Sequence, residues 1–115
     1  MTGGLYQRIA VPTGYTCQAA VWSRVYHSDS LWWSAVNKVG IDPKGGRNSA
    51  SADIRWAPAD SQSRSNFSEW HQLTTTGETC ANGFVTIFLD FKQYNNAGWH
   101  INCFDDVVLT VTAPH

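Results

Sequence analysis

Aromatic residues near hydrogen-bonding side chains are the groups in this sequence that suggest a chemistry. Trp22 and Arg24 are two residues apart, so a strand would place both on one face. An indole offers a flat apolar surface to the C–H groups of a sugar ring, while Arg and Asn supply hydrogen bonds to its hydroxyls. The candidate ligand-binding residues are Trp22, Arg24, Trp32, Trp33, Tyr94, Asn95 and Trp99.

The tryptophan content supports an exposed aromatic surface. Six tryptophans in 115 residues are too many for one small core, because Trp is seldom wholly buried and its N–H needs a partner. Exposed indoles usually mark a contact surface. An alternative for Trp32 and Trp33 is that they cover a sheet edge, and Trp56 is expected to pack beneath the loop around Asp42.

Catalytic groupings are few. Glu69 and His71 would share one strand face and could form an acid–base pair, although a surface ion pair is the commoner arrangement. The sequence contains no Gly-x-Ser-x-Gly, His-Glu-x-x-His or phosphate-loop motif. We therefore expect a chain that is not an enzyme.

The stretch Val39–Gly46 predicts the end of a strand followed by a tight turn. Pro43 cannot donate to a strand ladder, and the glycine pair after Lys44 tolerates positive φ. Asp42 at the mouth of this turn is either a turn residue that binds backbone N–H groups or a site carboxylate. The turn role is the usual one for Asp before Pro-x-Gly.

Length and charge limit the partners. The 115 residues, with a formal net charge of −1, make one domain over residues 1–115 and give no field that favours nucleic acid or an anionic membrane. No apolar run approaches the roughly 20 residues of a membrane helix, so no membrane partner is expected. The amino end, Met1–Gly4, shows no signal peptide.

The cysteines do not indicate a disulfide framework. There are three, Cys17, Cys80 and Cys103, so at most one bridge can form within the chain. Cys17 shares a predicted strand face with Tyr15, Ala19 and Val21, so we expect it to be buried as a small hydrophobic side chain. A bridge between Cys80 and Cys103 is left open, and no Cys/His spacing indicates zinc.

Alternating apolar residues predict strands throughout, and no segment keeps a helical period. The predicted strands are Gly4–Val11, Tyr15–Tyr26, Ser34–Ile41, Ala52–Trp56, Glu69–Thr76, Phe84–Phe91, Trp99–Phe104 and Asp106–Thr112. Turn residues separate them. About seven or eight short strands with this spacing indicate an all-β, antiparallel β-sandwich or barrel.

An ordered set of motifs resembles the galactose-binding-like jelly-roll domains, which include many carbohydrate-binding modules. The segments are Leu-Tyr-Gln-x-Ile-x-Val-Pro-x-Gly-Tyr at Leu5–Tyr15, Val-Gly-Ile-Asp-Pro-x-Gly-Gly at Val39–Gly46, Ile-Arg-Trp at Ile54–Trp56, Trp-x-x-Leu at Trp70–Leu73, Val-Thr-Ile-Phe-Leu at Val85–Leu89 and Phe-Asp-Asp-Val-x-Leu at Phe104–Leu109. The resemblance implies a jelly roll, a lectin-like role in glycan binding and an extracellular or secreted location.

The resemblance also implies roles for individual residues. Trp70 matches a core tryptophan of the family. Asp105 and Asp106 match a position where the family often holds a structural calcium, although two adjacent carboxylates supply too few of the six to eight oxygens that calcium takes. The alternative for this pair is a solvated or backbone-capping role.

The sequence differs from the family pattern at the amino end, where such domains have one or two further strands. We therefore expect the sheet edge beside Leu5–Val11 to have no partner within the chain. Unpaired edges favour pairing with another copy. The alternative function is thus a self-assembling structural subunit, a homo-oligomer completed by its neighbours.

Overall fold

The computed structural model describes residues 2–27, 35–60, 70–93 and 100–114, without the side chains of Tyr26, His27 and His100. Within these ranges the chain forms eight strands and no helix. They are β1 (Thr2–Ala10), β2 (Thr16–His27), β3 (Ala35–Asp42), β4 (Arg55–Trp56), β5 (His71–Thr74), β6 (Glu78–Thr79), β7 (Phe84–Gln93) and β8 (His100–Thr112). No helix that could span a membrane is found in them.

The all-β prediction is confirmed, and the strands differ most from the predicted ones in three places. Strand β4 is limited to Arg55–Trp56, whereas Ala52–Trp56 was predicted. The short β6 lies within the segment that was predicted to be a turn. A single β8 replaces the two closing strands that were predicted on either side of Asp105. In all three places the difference is local, and the order of the other strands is as expected.

The strands form two antiparallel sheets. The first sheet has the order β1-β7-β3-β4. In the second sheet β2 is central, because residues 20–23 of β2 pair with β5 while the same stretch also pairs with β8 on its other side. The small β6 pairs with Thr16 and Cys17 at the beginning of β2.

Both sheets contribute to one hydrophobic cluster, and we call the faces that carry it the inner faces. Alternate residues of β2, β3 and β7 fill it, as period-two patterns require. Its buried members are Val11, Cys17, Ala19, Val21, Val39, Ile41, Ala57, Leu73, Cys80, Val85 and Ile87. Cys17 is fully buried, as expected, and all three cysteines are free thiols in this structure.

The chain after β3 folds back over the outer face of the first sheet. Gly40 permits this, because a Cβ at that position would lie 2.5 Å from the Trp56 ring and 2.7 Å from Ile54. Trp56 also lies 6.3 Å from the Phe88 ring, centroid to centroid, and Phe88 is 1% exposed. The first sheet is therefore covered on both faces along part of its length.

Asp42 is a turn residue that binds backbone N–H groups, the first of its two predicted roles. The backbone N–H groups of Lys44 and Gly46 donate to its two carboxylate oxygens at 2.9 and 3.1 Å. Asp42 is 1% exposed, and Gly45 has a φ of 71°. The carboxylate thus closes the turn from inside and is not available to a ligand.

The apolar cover is thin at one side of the molecule. Leu5 lies on the inner face of β1 opposite Leu89, yet 74% of it is exposed. In the described part of the chain β1 and β8 each pair with one strand only. A groove of about 340 Å³ separates them, and it is lined by Gly4, Leu5, Leu89, Phe91, Asn102 and Phe104.

Candidate functional site

The structure places Trp22 and Arg24 on the outer face of the second sheet, as the alternation of β2 predicts. Trp22 is 39% exposed and Arg24 is half-buried. Trp22 lies directly opposite Gln72 of β5 and opposite Asp105 of β8. Directly opposed residues have Cβ atoms about 4.5–5.5 Å apart, so an amide and a carboxylate flank the indole.

Trp70 joins this face, and the core position implied by the resemblance is wrong. It is 42% exposed. Leu73 and His71 of β5 pair with inner-face residues of β2, whereas Gln72 pairs with the outward Trp22. Continuing this alternation by one more residue puts Trp70 on the outer side, next to Gln72.

We call this surface the indole face, and it consists of Trp22, Arg24, Trp70, Gln72 and Asp105. Trp70 and Gln72 were missed in the sequence analysis. The signal that could have found them is the spacing Trp-x-Gln, the same two-residue step as Trp22-x-Arg24. Two exposed indoles on a face that also carries planar hydrogen-bonding groups are suited to an apolar ring with polar substituents.

The other candidate ligand-binding residues cannot be assigned to this face. Trp32, Trp33, Tyr94, Asn95 and Trp99 lie outside the described residues, so their predicted role stays a prediction. The strands that flank them do share one end of the molecule. Ala35 at the beginning of β3 pairs with Gln93 at the end of β7, and β2 ends at His27 opposite His100 of β8.

The Asp105–Asp106 pair has a local backbone role. The Asp106 N–H donates to the Asp105 carboxylate at 2.9 Å, and Asp106 has a φ of 53°. Among the described residues no three His, Cys, Asp or Glu side chains are grouped so as to hold a metal ion. Calcium at this position stays a prediction without a third acidic ligand in the described part of the chain.

A buried polar network lies between the two sheets. The Ser23 hydroxyl donates to the Asp60 carboxylate at 2.7 Å and accepts from the Asn37 amide at 2.9 Å. The Asn37 amide group also donates to the Cys103 carbonyl and accepts from Asn102. Ser23 and Asn37 are fully buried and Asp60 is 4% exposed. The network therefore joins β2, β3 and β8, with its β2 and β3 members buried and its β8 members half-buried.

This network contains residue types found in hydrolases, but its arrangement is structural. His71 lies directly opposite Ser23 on the inner face, yet in the described residues the Ser23 hydroxyl bonds to Asp60 and Asn37. Glu69, the predicted partner of His71, lies outside the described residues. A fully buried hydroxyl that already donates to a carboxylate is not accessible to a substrate.

Burial alters the pKa of two groups elsewhere. Desolvation, with a smaller contribution from Cys80, raises the pKa of the Cys17 thiol. Desolvation also raises the pKa of Asp90, on the outer face of the first sheet, while Lys38 and Lys92 act to lower it. Neither group belongs to the indole face. Comparison of the chain with protein-family models, with curated proteins and with solved structures gave no match.

Proposed function

We propose that this chain is a non-catalytic carbohydrate-binding domain that holds a glycan on the indole face. The observation that supports it is the exposure of Trp22 and Trp70, 39% and 42%, and the alternation along β5 puts Trp70 on the same side as Trp22. Two large exposed aromatic side chains are costly for a soluble surface unless they meet a partner. The C–H face of a pyranose would rest on the indoles, and its hydroxyls would bond to Arg24, Gln72 and Asp105.

The wider architecture is part of the same proposal. Two antiparallel sheets that share one hydrophobic cluster support a β-sandwich, and we propose the jelly-roll type related to the galactose-binding-like domains. An extracellular or secreted location would follow from that relationship. The Ser23 hydroxyl is fully buried and donates to Asp60, so it is not exposed to a ligand on the indole face, and we propose binding without catalysis.

The test is affinity electrophoresis in gels that contain neutral soluble polysaccharides. Migration should be retarded by at least one of them, and Trp22→Ala should weaken that binding by on the order of 1–3 kcal/mol, the value for a buried aromatic side chain. Trp22→Phe should keep part of the affinity, and Trp70→Ala should weaken it too. Leu5→Ala is the control, because Leu5 is 74% exposed on the other sheet.

Two outcomes would contradict glycan binding. The first is unchanged migration across a panel of diverse polysaccharides. The second is retardation that Trp22→Ala and Trp70→Ala leave intact, which would move the binding away from the indole face. Circular dichroism of each variant shows whether a lost affinity reflects lost folding.

A second candidate function is that of a self-assembling structural subunit. The groove between β1 and β8 supports it, since both bordering strands pair on one side only in the described residues. Apolar side chains are exposed on these strands, with Leu5 at 74% and Val108 at 53%. Backbone groups along such edges are templates for pairing with another chain. Sedimentation velocity over a wide concentration range tests it, and a persistent monomer would exclude it.

A further inference from the structure

The outer face of the first sheet contains a pocket that is separate from the indole face. It has a volume of about 370 Å³ and lies between β1, β3, β7 and the chain near Arg47 and Ser49. This volume is within the ~300–1,000 Å³ of ligand pockets. Gly4 leaves space in it, because a Cβ on Gly4 would lie 2.5 Å from a carboxylate oxygen of Asp90.

The charged groups of the pocket are mostly positive. Lys38, Arg47 and Lys92 line it together with the single carboxylate of Asp90. We call it the cationic pocket. The chain as a whole has a net charge of −1, so this local excess of positive charge is a feature of the site and not of the composition.

The backbone pairing holds these charges close together. Asp90 lies between two strands, directly opposite Lys38 of β3 and directly opposite Gly4 of β1. The Lys38 ammonium group lies 4.2 Å from the centre of the Trp56 ring, which restrains it without neutralising it. In the described part of the chain neither Lys38 nor Arg47 forms an ion pair. The Lys38 charge also acts to lower the pKa of Asp90, and both cations line the pocket in which a ligand would lie.

One wall of the pocket is aromatic. Tyr6 lines it and is 53% exposed. The Tyr6 ring lies 5.7 Å from the buried Phe88 ring, centroid to centroid, and this contact restrains it. A restrained and exposed aromatic ring beside charged groups suits a ligand with an apolar C–H face and polar substituents.

We propose that the cationic pocket binds an acidic saccharide, a sugar unit bearing a carboxylate or a sulfate. Its anionic group bonds to Lys38 and Arg47, its hydroxyls donate to Asp90, and its C–H face lies against Tyr6. Asp90 disfavours a bare anion through charge repulsion, whereas the hydroxyls of a sugar supply the donors that a carboxylate accepts. This inference does not depend on glycan binding by the indole face.

The test compares a ligand with its uncharged counterpart by isothermal titration calorimetry. Oligogalacturonate should bind saturably, and its fully methyl-esterified form should bind about tenfold more weakly or not measurably. Raising the salt concentration should weaken the acid form, because exposed charge pairs are screened. A sulfated oligosaccharide, compared with its desulfated form, tests the other acidic group.

Variants then locate the binding. Lys38→Gln and Arg47→Gln should each weaken oligogalacturonate binding by about fivefold. Lys44→Gln is the matched control, because Lys44 is an exposed cation outside the pocket, 3.2 Å from Asp53. Tyr6→Ala should weaken binding as well. Asp90→Asn distinguishes the ligand class, since it should weaken a saccharide but tighten inorganic sulfate.

Several results would overturn the proposal. They are equal binding of the acid and the ester, equal losses in Lys38→Gln and Lys44→Gln, and tighter oligogalacturonate binding by Asp90→Asn, which would indicate a site for simple anions. Trp22→Ala should leave oligogalacturonate binding unchanged. The failure of this pocket can therefore be told apart from the failure of the indole face.

Discussion

Trp22 of β2 lies directly opposite Asp105 of β8, whereas Ala20, two residues earlier, lies opposite Val108. Strand β8 therefore has one more residue than β2 between these two pairs, which defines a β-bulge. Asp106 accommodates the extra residue with a φ of 53°. The bulge sets which residue of β8 faces the Trp22 indole, because without it the register would shift by one and exchange the faces of β8.

The first prediction concerns the backbone at Asp106. Asp106→Gly should leave the free energy of unfolding close to that of the wild type, because glycine adopts positive φ without strain. Asp106→Val should lower it by about 1–2 kcal/mol. Thr110→Val, at an exposed and regularly paired position of the same strand, is the control. Chemical denaturation measures each value, and an Asp106→Val variant as stable as the wild type would show that the bulge is not strained.

The second prediction concerns the buried network. The Asn37 side chain donates to Ser23, Arg24 and Cys103 and accepts from Asn102. Asn37→Ala removes one hydrogen bond from each of these buried or part-buried groups, and each group left unsatisfied costs about 1–3 kcal/mol. We expect a loss of at least that size in urea unfolding. Asn82→Ala, which removes one exposed 3.3 Å bond to the Lys44 carbonyl, should change stability by less than about 0.5 kcal/mol.

The third prediction is a pH dependence caused by Cys17. Its folded-state pKa is raised by burial and, to a smaller extent, by Cys80. The folded protein therefore holds this proton more tightly than the unfolded chain does. The resulting stability is fully present below the ordinary thiol pKa and is lost as the pH rises through the folded-state pKa.

Unfolding free energies between about pH 7.5 and pH 9.5, on either side of the ordinary thiol pKa, test this under reducing conditions. The wild type should lose stability toward the alkaline end, and Cys17→Ala should lose less. Cys103→Ala is the control, since Cys103 is only half-buried. If the unfolding free energies of Cys17→Ala and the wild type decrease in parallel with pH, the thiol of Cys17 does not cause the pH dependence.

The fourth prediction tests the groove between β1 and β8. If copies of the chain assemble there, Leu5→Lys should dissociate them, because association would desolvate the new charge. The isolated subunit should keep its stability, since Leu5 is already 74% exposed. Sedimentation velocity measures the assembly. Thr79→Lys, at an exposed position of β6, should leave it unchanged, and equal dissociation by both variants would indicate a general charge effect.

Local patterns in the sequence were enough for most of the strands and for several of their inner-face residues, although β6 was missed and β8 was divided. Cys17, Ala19 and Val21 are spaced two residues apart, as one face of a strand requires, and all three are buried. Asp42, Pro43 and the glycines after Lys44 predicted the turn. Proline restricts φ and glycine permits positive φ in any fold. The shared face of Trp22 and Arg24 was also predictable from local sequence, since side chains two residues apart lie on the same face of any strand.

Other features depend on distant parts of the chain and only the tertiary structure decided them. Trp70 is exposed because Leu73 and not Trp70 faces the core, and a strand as short as β5 has too few residues for its pattern to show this. Thr86 lies on the outer face of β7, between the core residues Val85 and Ile87, and is nevertheless fully buried. The chain around Trp56 folds back over that face.

The cationic pocket illustrates the same division. Lys38, Arg47 and Asp90 belong to different segments, and nothing in their local sequence links them. The antiparallel pairing of β3 with β7 places Lys38 opposite Asp90, and the pairing of β1 with β7 places Gly4 there too. A sequence determines which residues alternate along a strand, because that geometry is local. Which strands become neighbours depends on burying apolar surface across the whole chain, and the pocket exists only once that has occurred.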